Sequence, residues 1–257
     1  MIVNKQSIKN FPVNLKVKFI EWFPYYQEIR QEFQYSTEKD QEAADSLSKM
    51  IRKKALNIRT LQKKIVGRRV LVIGAGPGLQ SNIEFIKRDR KSIKIAADDT
   101  VQVLIENKIR PNIVVTDLDG NASFLQKAEK LGAIIVVHAH ADNMDILKKI
   151  IPKFKRIIGS TQVMPTDNVY NFGGFTDGDR SVFLAEEFGA KEIILVGMEL
   201  GDRVGNYSKT PIENFELKKK KLRVGKRLLE VLAKRSRSKL FDTSKKPIKG
   251  FTSLYNL

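Results

Sequence analysis

Ile113-Val114-Val115-Thr116-Asp117-Leu118-Asp119-Gly120 decides how the rest of this chain is read. Four residues of extended character run directly into two carboxylates spaced i, i+2 and then a glycine. A short apolar run bounded by turn residues reads as a buried strand, which puts Asp117 and Asp119 at its C-terminal end. Open α/β sheets bind ligands at that end. Two close carboxylates repel each other, so keeping both ionised requires a cation or a basic partner. Mg2+ is the hard ion that one or two carboxylates share with substrate phosphates. Taken alone, Asp-x-Asp-Gly is equally a strand end prepared for a turn.

Outward from this stretch the pattern repeats. Further strands are predicted at Arg69 to Ile73, Ile93 to Ala97, Ile134 to His138, Arg156 to Gly159, Val169 to Phe172 and Glu192 to Val196. Helical stretches such as Gln80 to Lys87, Thr100 to Asn107 and Arg180 to Phe188 fall between them. Near-continuous apolar strands alternating with helices imply an α/β fold: a mainly parallel, Rossmann-like sheet with helices on both faces. Before it, residues 1–65 read as a helical, aromatic-rich region. Pro24 is expected to interrupt any helix there, Thr37 to cap the next, and apolar spacing to carry that helix to about Lys64. The catalytic domain is taken as 66–212. Residues 213–237 read as a basic helix and 238–257 as a tail.

All strands of a parallel sheet end on one edge, so the residues after each strand sample one site. Those endings are unusually polar or glycine-rich. Gly74-Ala75-Gly76-Pro77-Gly78 would let backbone approach an anion at a helix start, although Leu79 stands where a dinucleotide fingerprint has its third glycine. Asp98 could meet Asp117 and Asp119 across the sheet edge, or hold a ribose as in dehydrogenases. His138 and His140, the only histidines, end the fourth strand, followed by Asp142 and Asn143, which also suit helix caps. Zinc is disfavoured because carboxylates and glycines dominate the rest. Gly173-Gly174-Phe175-Thr176-Asp177-Gly178-Asp179-Arg180 forms a second glycine-to-helix junction. It reads either as an N-cap region or as a phosphate cradle in which Arg180 holds an oxygen.

Composition narrows the classes. The chain has 257 residues, 42% of them hydrophobic, enough for a packed core. Cysteine is absent, which excludes disulfides and thiolate metal sites. No run of about 18 apolar residues predicts a membrane span, and the N-terminus has no signal-peptide pattern, so a cytoplasmic location is expected. Net charge is +18, and between Lys218 and Lys249 fourteen Lys or Arg face two acids. Such a face attracts polyanions, but no nucleic-acid recognition motif accompanies it. A solvated helix face is the favoured reading, and homo-oligomerisation is left open.

Gly-x-Gly-Pro-x-Leu, Ala-Asp, Pro-Asn-Ile-Val-Val-Thr-Asp-Leu-Asp-Gly, His-Ala-His-x-Asp-Asn and Asn-x-Gly-Gly-Phe-Thr-Asp-Gly-Asp-Arg together resemble the archaeal 6-hydroxymethyl-7,8-dihydropterin pyrophosphokinases, the MptE-like family, over about residues 15–235. The order Ala-Asp then Asp-x-Asp is also similar to the catalytic half of thiamin pyrophosphokinases. The chain departs from the usual family pattern at Gly78, Asp99 and Ala141. The resemblance implies Mg2+- and ATP-dependent transfer of diphosphate to a hydroxymethylpterin, with AMP leaving. Asp117 and Asp119, with Asp98 or Asp142, would hold the ion. The glycine loops and Arg180 would orient phosphates, and His138 or His140 would assist proton removal. Thr161, Gln162 and Asn171 would read polar edges of the ligands, and Phe175 would stack on a ring. The competing readings are a motility-accessory type glycosyltransferase, an NAD-dependent oxidoreductase, and a nucleic-acid-binding module using the basic C-terminal face.

Overall fold

The computed structural model describes residues 13–201, 205, 207 and 211–255. Its centre is one sheet of nine strands, every neighbouring pair parallel. In chain order these are β1 (Arg69–Ile73), β2 (Ile93–Ala97), β3 (Ile113–Thr116), β4 (Ile134–Ala139), β5 (Ile157–Thr161), β6 (Val169–Tyr170), β7 (Glu192–Val196), β8 (Lys239–Asp242) and β9 (Thr252–Ser253). Side chains alternate across the pleat, and both faces are covered. Leu71, Ile73, Val114, Ile135 and Val137 join one core, while Val70, Val72, Val115, Ile134 and Val136 join the other. This two-sided burial is why the strands read as continuous apolar runs.

The first core is covered mainly by α1 (Val13–Phe33), α2 (Thr37–Ile51), α4 (Ile83–Arg88), α5 (Thr100–Glu106), α6 (Ala122–Lys130) and α7 (Met144–Ile150), with Val224 and Leu228 joining from further along the chain. The second is covered mainly by α3 (Arg59–Ile65), α8 (Asp177–Glu187) and α9 (Phe215–Ala233). Among the described residues no helix is long and apolar enough to cross a membrane.

Several local expectations are corrected. Pro24 does not end a helix, because α1 runs through it. Proline inside a helix costs about 3 kcal/mol, and burial of Trp22, Tyr26 and Ile29 on one face offsets that penalty. Ser36, not Thr37, caps α2, its side chain accepting from the Lys39 amide. The predicted helix to Lys64 is two helices. Between them Ala55 bridges Ile157 and the Leu56 amide donates to the Ile157 carbonyl at 2.8 Å. The start of β5 lies beyond the reach of short β6, whose pairing begins at Gly159, so this segment satisfies it. The expected tail contributes β8 and β9, extending the sheet beyond β7.

The strand order is β6-β5-β4-β3-β2-β1-β7-β8-β9. The chain builds outward from β1 to β6, then returns to place β7 on the other side of β1. Strand order therefore reverses between β1 and β7, and a ligand crevice is expected outside their C-terminal ends.

Candidate active site

A cavity of about 480 Å3 opens at that edge. Its floor is made by backbone that only glycine permits. The Gly74 amide donates to the Val196 carbonyl at 2.9 Å, and Gly76 to Gly197 at 2.7 Å. A Cβ on Gly74 would stand 2.5 Å from Met198 Sδ, and one on Gly76 2.6 Å from the Gly197 carbonyl oxygen. The loop after β1 thus lies directly on the loop after β7. Gly74 and Gly76 line the cavity, whereas Pro77 and Gly78 stand outside it. The Gly78 amide donates to Glu199 Oε2 at 3.1 Å, so a carboxylate already occupies one donor of this turn.

Across the crevice the ends of β2 and β3 and the start of α8 bring acids together. Carboxylate oxygens of Asp98, Asp117 and Asp177 lie within 4.8 Å of one another. Asp98 and Leu118 hold left-handed backbone, φ +37° and +72°, a conformation that persists for such residues only where surroundings impose it. The surroundings are identifiable. Thr116 Oγ1 donates to Asp98 Oδ1 at 2.5 Å and accepts from the Leu118 amide at 2.9 Å. A Cβ on Gly120 would meet Asp98 Oδ2 at 3.0 Å, so glycine there admits the carboxylate. Burial and the charges of Asp119, Asp177 and Asp117 push the Asp98 carboxyl well above the usual range. Asp177 is raised likewise, by burial and then by Asp117, against the opposing charge of Arg180. Asp119 is raised by burial and by Asp117. Burial pushes Asp117 up too, but the hydrogen bond and charge of His140 with donation from Asp119 outweigh it and hold Asp117 below the usual range.

The histidines take different places. His140 Nδ1 accepts from the Asp142 amide at 3.3 Å, leaving Nε2–H to face Asp117 Oδ2 at 3.5 Å. His138 is buried. Its Nε2 lies 3.0 Å from an Nη of Arg180 and its Nδ1 3.4 Å from Ser160 Oγ. Burial, followed by the charge of Arg180, depresses its pKa well below the ordinary value. Asn143 fastens the two strand ends: its Nδ2 donates to the carbonyls of Asp117 and His138, both at 2.8 Å. The Asp142 side chain stands at the rim, 78% exposed, 3.9 Å from His140 Nδ1.

The second glycine junction divides. Phe175, Thr176, Asp177, Gly178 and Arg180 line the cavity, but Gly173, Gly174 and Asp179 do not. Gly174 has φ +82°, and a Cβ there would sit 2.6 Å from the Arg180 amide nitrogen. Asp179 caps α8, accepting from the amides of Phe175 at 2.6 Å and Thr176 at 2.8 Å. The Arg180 guanidinium is directed at protein partners, donating to Asp177 Oδ1 at 3.1 Å and to the Phe175 carbonyl at 3.0 Å. Thr161 and Asn171 are also internal to the fold: Thr161 Oγ1 accepts from the Val163 amide and Asn171 Nδ2 donates to the Val163 carbonyl. Gln162 lines the cavity while its Nε2 donates to Asp40 Oδ2 at 2.7 Å.

Several lining residues lie outside the sequence-based set. Tyr35 comes from the link between α1 and α2, Asp40 from α2, Glu199 from the loop after β7, and Lys218 and Lys221 from α9. Only the loop after β7 carried a signal, since it too follows a strand. The basic helix has its own explanation. Arg235 pairs with Glu21 at 2.8 Å, Arg227 with Glu28 at 3.2 Å and Lys220 with Glu32 at 3.5 Å, an antiparallel ladder binding α9 to α1.

A family described as 6-hydroxymethylpterin diphosphokinase MptE-like matches residues 41–205. Three curated relatives are each named 6-hydroxymethyl-7,8-dihydropterin pyrophosphokinase. That of Pyrococcus furiosus is 43% identical, covering 89% of this chain and all of its own length. That of Methanocaldococcus jannaschii is 39% identical over 82% of this chain and 94% of its own. The protein of Methanothermobacter thermautotrophicus is 36% identical over 82% and 93%. A solved MAf glycosyltransferase from Magnetospirillum magneticum AMB-1 is similar at 17% identity and TM-score 0.49, over 83% of this chain and 38% of that one.

Proposed function

The chain belongs to the MptE-like family of 6-hydroxymethylpterin diphosphokinases, and from that premise we propose that it transfers diphosphate from ATP to 6-hydroxymethyl-7,8-dihydropterin. The hydroxymethyl oxygen attacks the β-phosphorus, forming a new P–O bond. The bond from the β-phosphorus to the oxygen bridging it to the α-phosphorus breaks, that oxygen leaves with AMP, and the hydroxyl proton is lost. The observation that carries this reading is the convergence of Asp98, Asp117 and Asp177 oxygens beside a glycine turn in one cavity. Such transfer depends on positioning and charge neutralisation more than on covalent chemistry.

The all-oxygen donor set fits a hard divalent ion such as Mg2+. Buried carboxylates that repel enough to raise Asp98 and Asp177 are what a cation would relieve. Asp98, Asp117 and Asp177 would hold it, with Asp119 beside them, and when bound it would neutralise charge on phosphate oxygens. His140 would keep Asp117 ionised through its Nε2–H, and with its Nδ1 held by the Asp142 amide and His138 engaged with Arg180 and Ser160, the hydroxyl proton would pass to solvent rather than to an imidazole. Phe175 and Tyr35, with ring centroids 6.3 Å apart, offer an aromatic wall for the pterin. Arg180 positions Asp177 and the start of α8.

Incubation with ATP, Mg2+ and the hydroxymethyldihydropterin should release AMP and a pterin diphosphate, and chelation should stop both. Release of ADP, or turnover of a nucleotide sugar without AMP formation from ATP, would overturn the reading.

A further inference from the structure

A polyphosphate entering this cavity meets Asp98, Asp117, Asp119, Asp177 and Glu199, and one divalent ion among them leaves much of that repulsion standing. Arg180 is poorly placed to help, since its side chain is 2% exposed and its guanidinium is shared among Asp177, His138 and the Phe175 carbonyl. Among the described residues two further cations reach the cavity, both from α9: Lys218 and Lys221. Their i, i+3 spacing puts them on one helix face. The lysines between them point elsewhere, Lys219 pairing with Glu216 at 2.7 Å and Lys220 with Glu32 at 3.5 Å. Lys218 is close enough for its charge to act on Asp177. Lys221 Nζ lies 5.9 Å from the centre of the Tyr35 ring, so it stands at the aromatic wall. The α1–α9 ion-pair ladder holds this face against the site.

We propose that Lys218 and Lys221 bind the polyphosphate of the nucleotide, supplying the positive charge that Arg180 cannot. The inference rests on the ATP reading above and extends it to the basic helix. A lysine suits this role because its ammonium is a point charge on a flexible stem that can follow a phosphate as it moves.

The test is calorimetric titration with inorganic tripolyphosphate and Mg2+ of the wild type and of Lys218→Met, Lys221→Met and Lys219→Met. Loss of one charge-assisted phosphate contact should weaken binding about tenfold in each of the first two. Lys219→Met carries the same change in net charge and should bind as the wild type does. In turnover, KM for ATP should rise in the first two variants while KM for the pterin stays constant. Unchanged tripolyphosphate affinity in Lys218→Met and Lys221→Met, or an equal loss in Lys219→Met, would overturn the proposal. The binding arm needs no pterin, so it decides the matter even if the wild type fails to release AMP. That failure would count against the assigned reaction alone.

Discussion

His138 Nε2 and a guanidinium nitrogen of Arg180 are 3.0 Å apart, with both side chains buried. A guanidinium can only donate, so the imidazole accepts and is neutral, its proton on Nδ1 toward Ser160. His138→Leu strands a buried donor and should destabilise the fold by about 1–3 kcal/mol in urea unfolding. The native group also imposes a pH dependence. Its folded pKa lies below the ordinary 6.5, so as pH falls through that value the unfolded chain gains a proton first and stability declines. A His138→Leu variant with wild-type stability would refute the arrangement.

Asp98→Asn should lower turnover about 100-fold or more yet raise the thermal midpoint of the cation-free protein. Asp98 is raised in the fold above its ordinary 3.8. Below that value it is neutral in both states. The stability it contributes is lost as pH rises through the raised pKa. The variant's advantage should therefore vanish near pH 4 and grow above it, and scanning calorimetry across that window checks this.

Removing His140 should move the acid limb of the rate profile. Burial raises Asp117, and His140 is the chief group opposing it. In His140→Gln the Asp117 carboxyl should titrate at higher pH, so activity should fall off at higher pH than in the wild type. An unmoved limb would detach Asp117 from the titration that limits the rate.

Gly174→Ala tests the second glycine junction. With φ +82° and the Arg180 amide nitrogen 2.6 Å from the added carbon, the start of α8 must shift. A loss of about 2–4 kcal/mol is expected from denaturant midpoints, and turnover should fall with it because Asp177 begins that helix.

Tyr35→Ala and Phe175→Leu should raise KM for the pterin severalfold and leave the affinity for tripolyphosphate unchanged. Binding titrations with each ligand separately distinguish the two effects. Equal weakening for both ligands would instead tie the aromatic wall to the polyphosphate, through Lys221 beside the Tyr35 ring.

The parallel sheet was legible because strands covered on both faces are unbroken apolar runs, from Val70 to Ile73 through Ile193 to Val196. The cluster at its edge was legible for the same reason: parallel strands end together, so Gly74, Asp98, Asp117, His138 and His140 had to share one rim. Less visible were features set by partners far along the chain. The break in the helix after Ile51 answers an unsatisfied carbonyl at Ile157, and β8 and β9 are too short and polar to announce themselves.

What the amino-acid order determined by itself was the fold class, the sheet edge that carries the cavity and the residue types gathered there, because those follow from local periodicity and from the geometry of parallel strands. Tertiary structure alone decided the division of labour among them. Asp177 joined the acids, Arg180 turned inward to His138, Asp179 became a cap, and Lys218 and Lys221 arrived from a helix about 100 residues beyond the Asp-x-Asp strand. Charge and hydrogen-bonding depend on which groups face each other and which face water, and no local spacing encodes that.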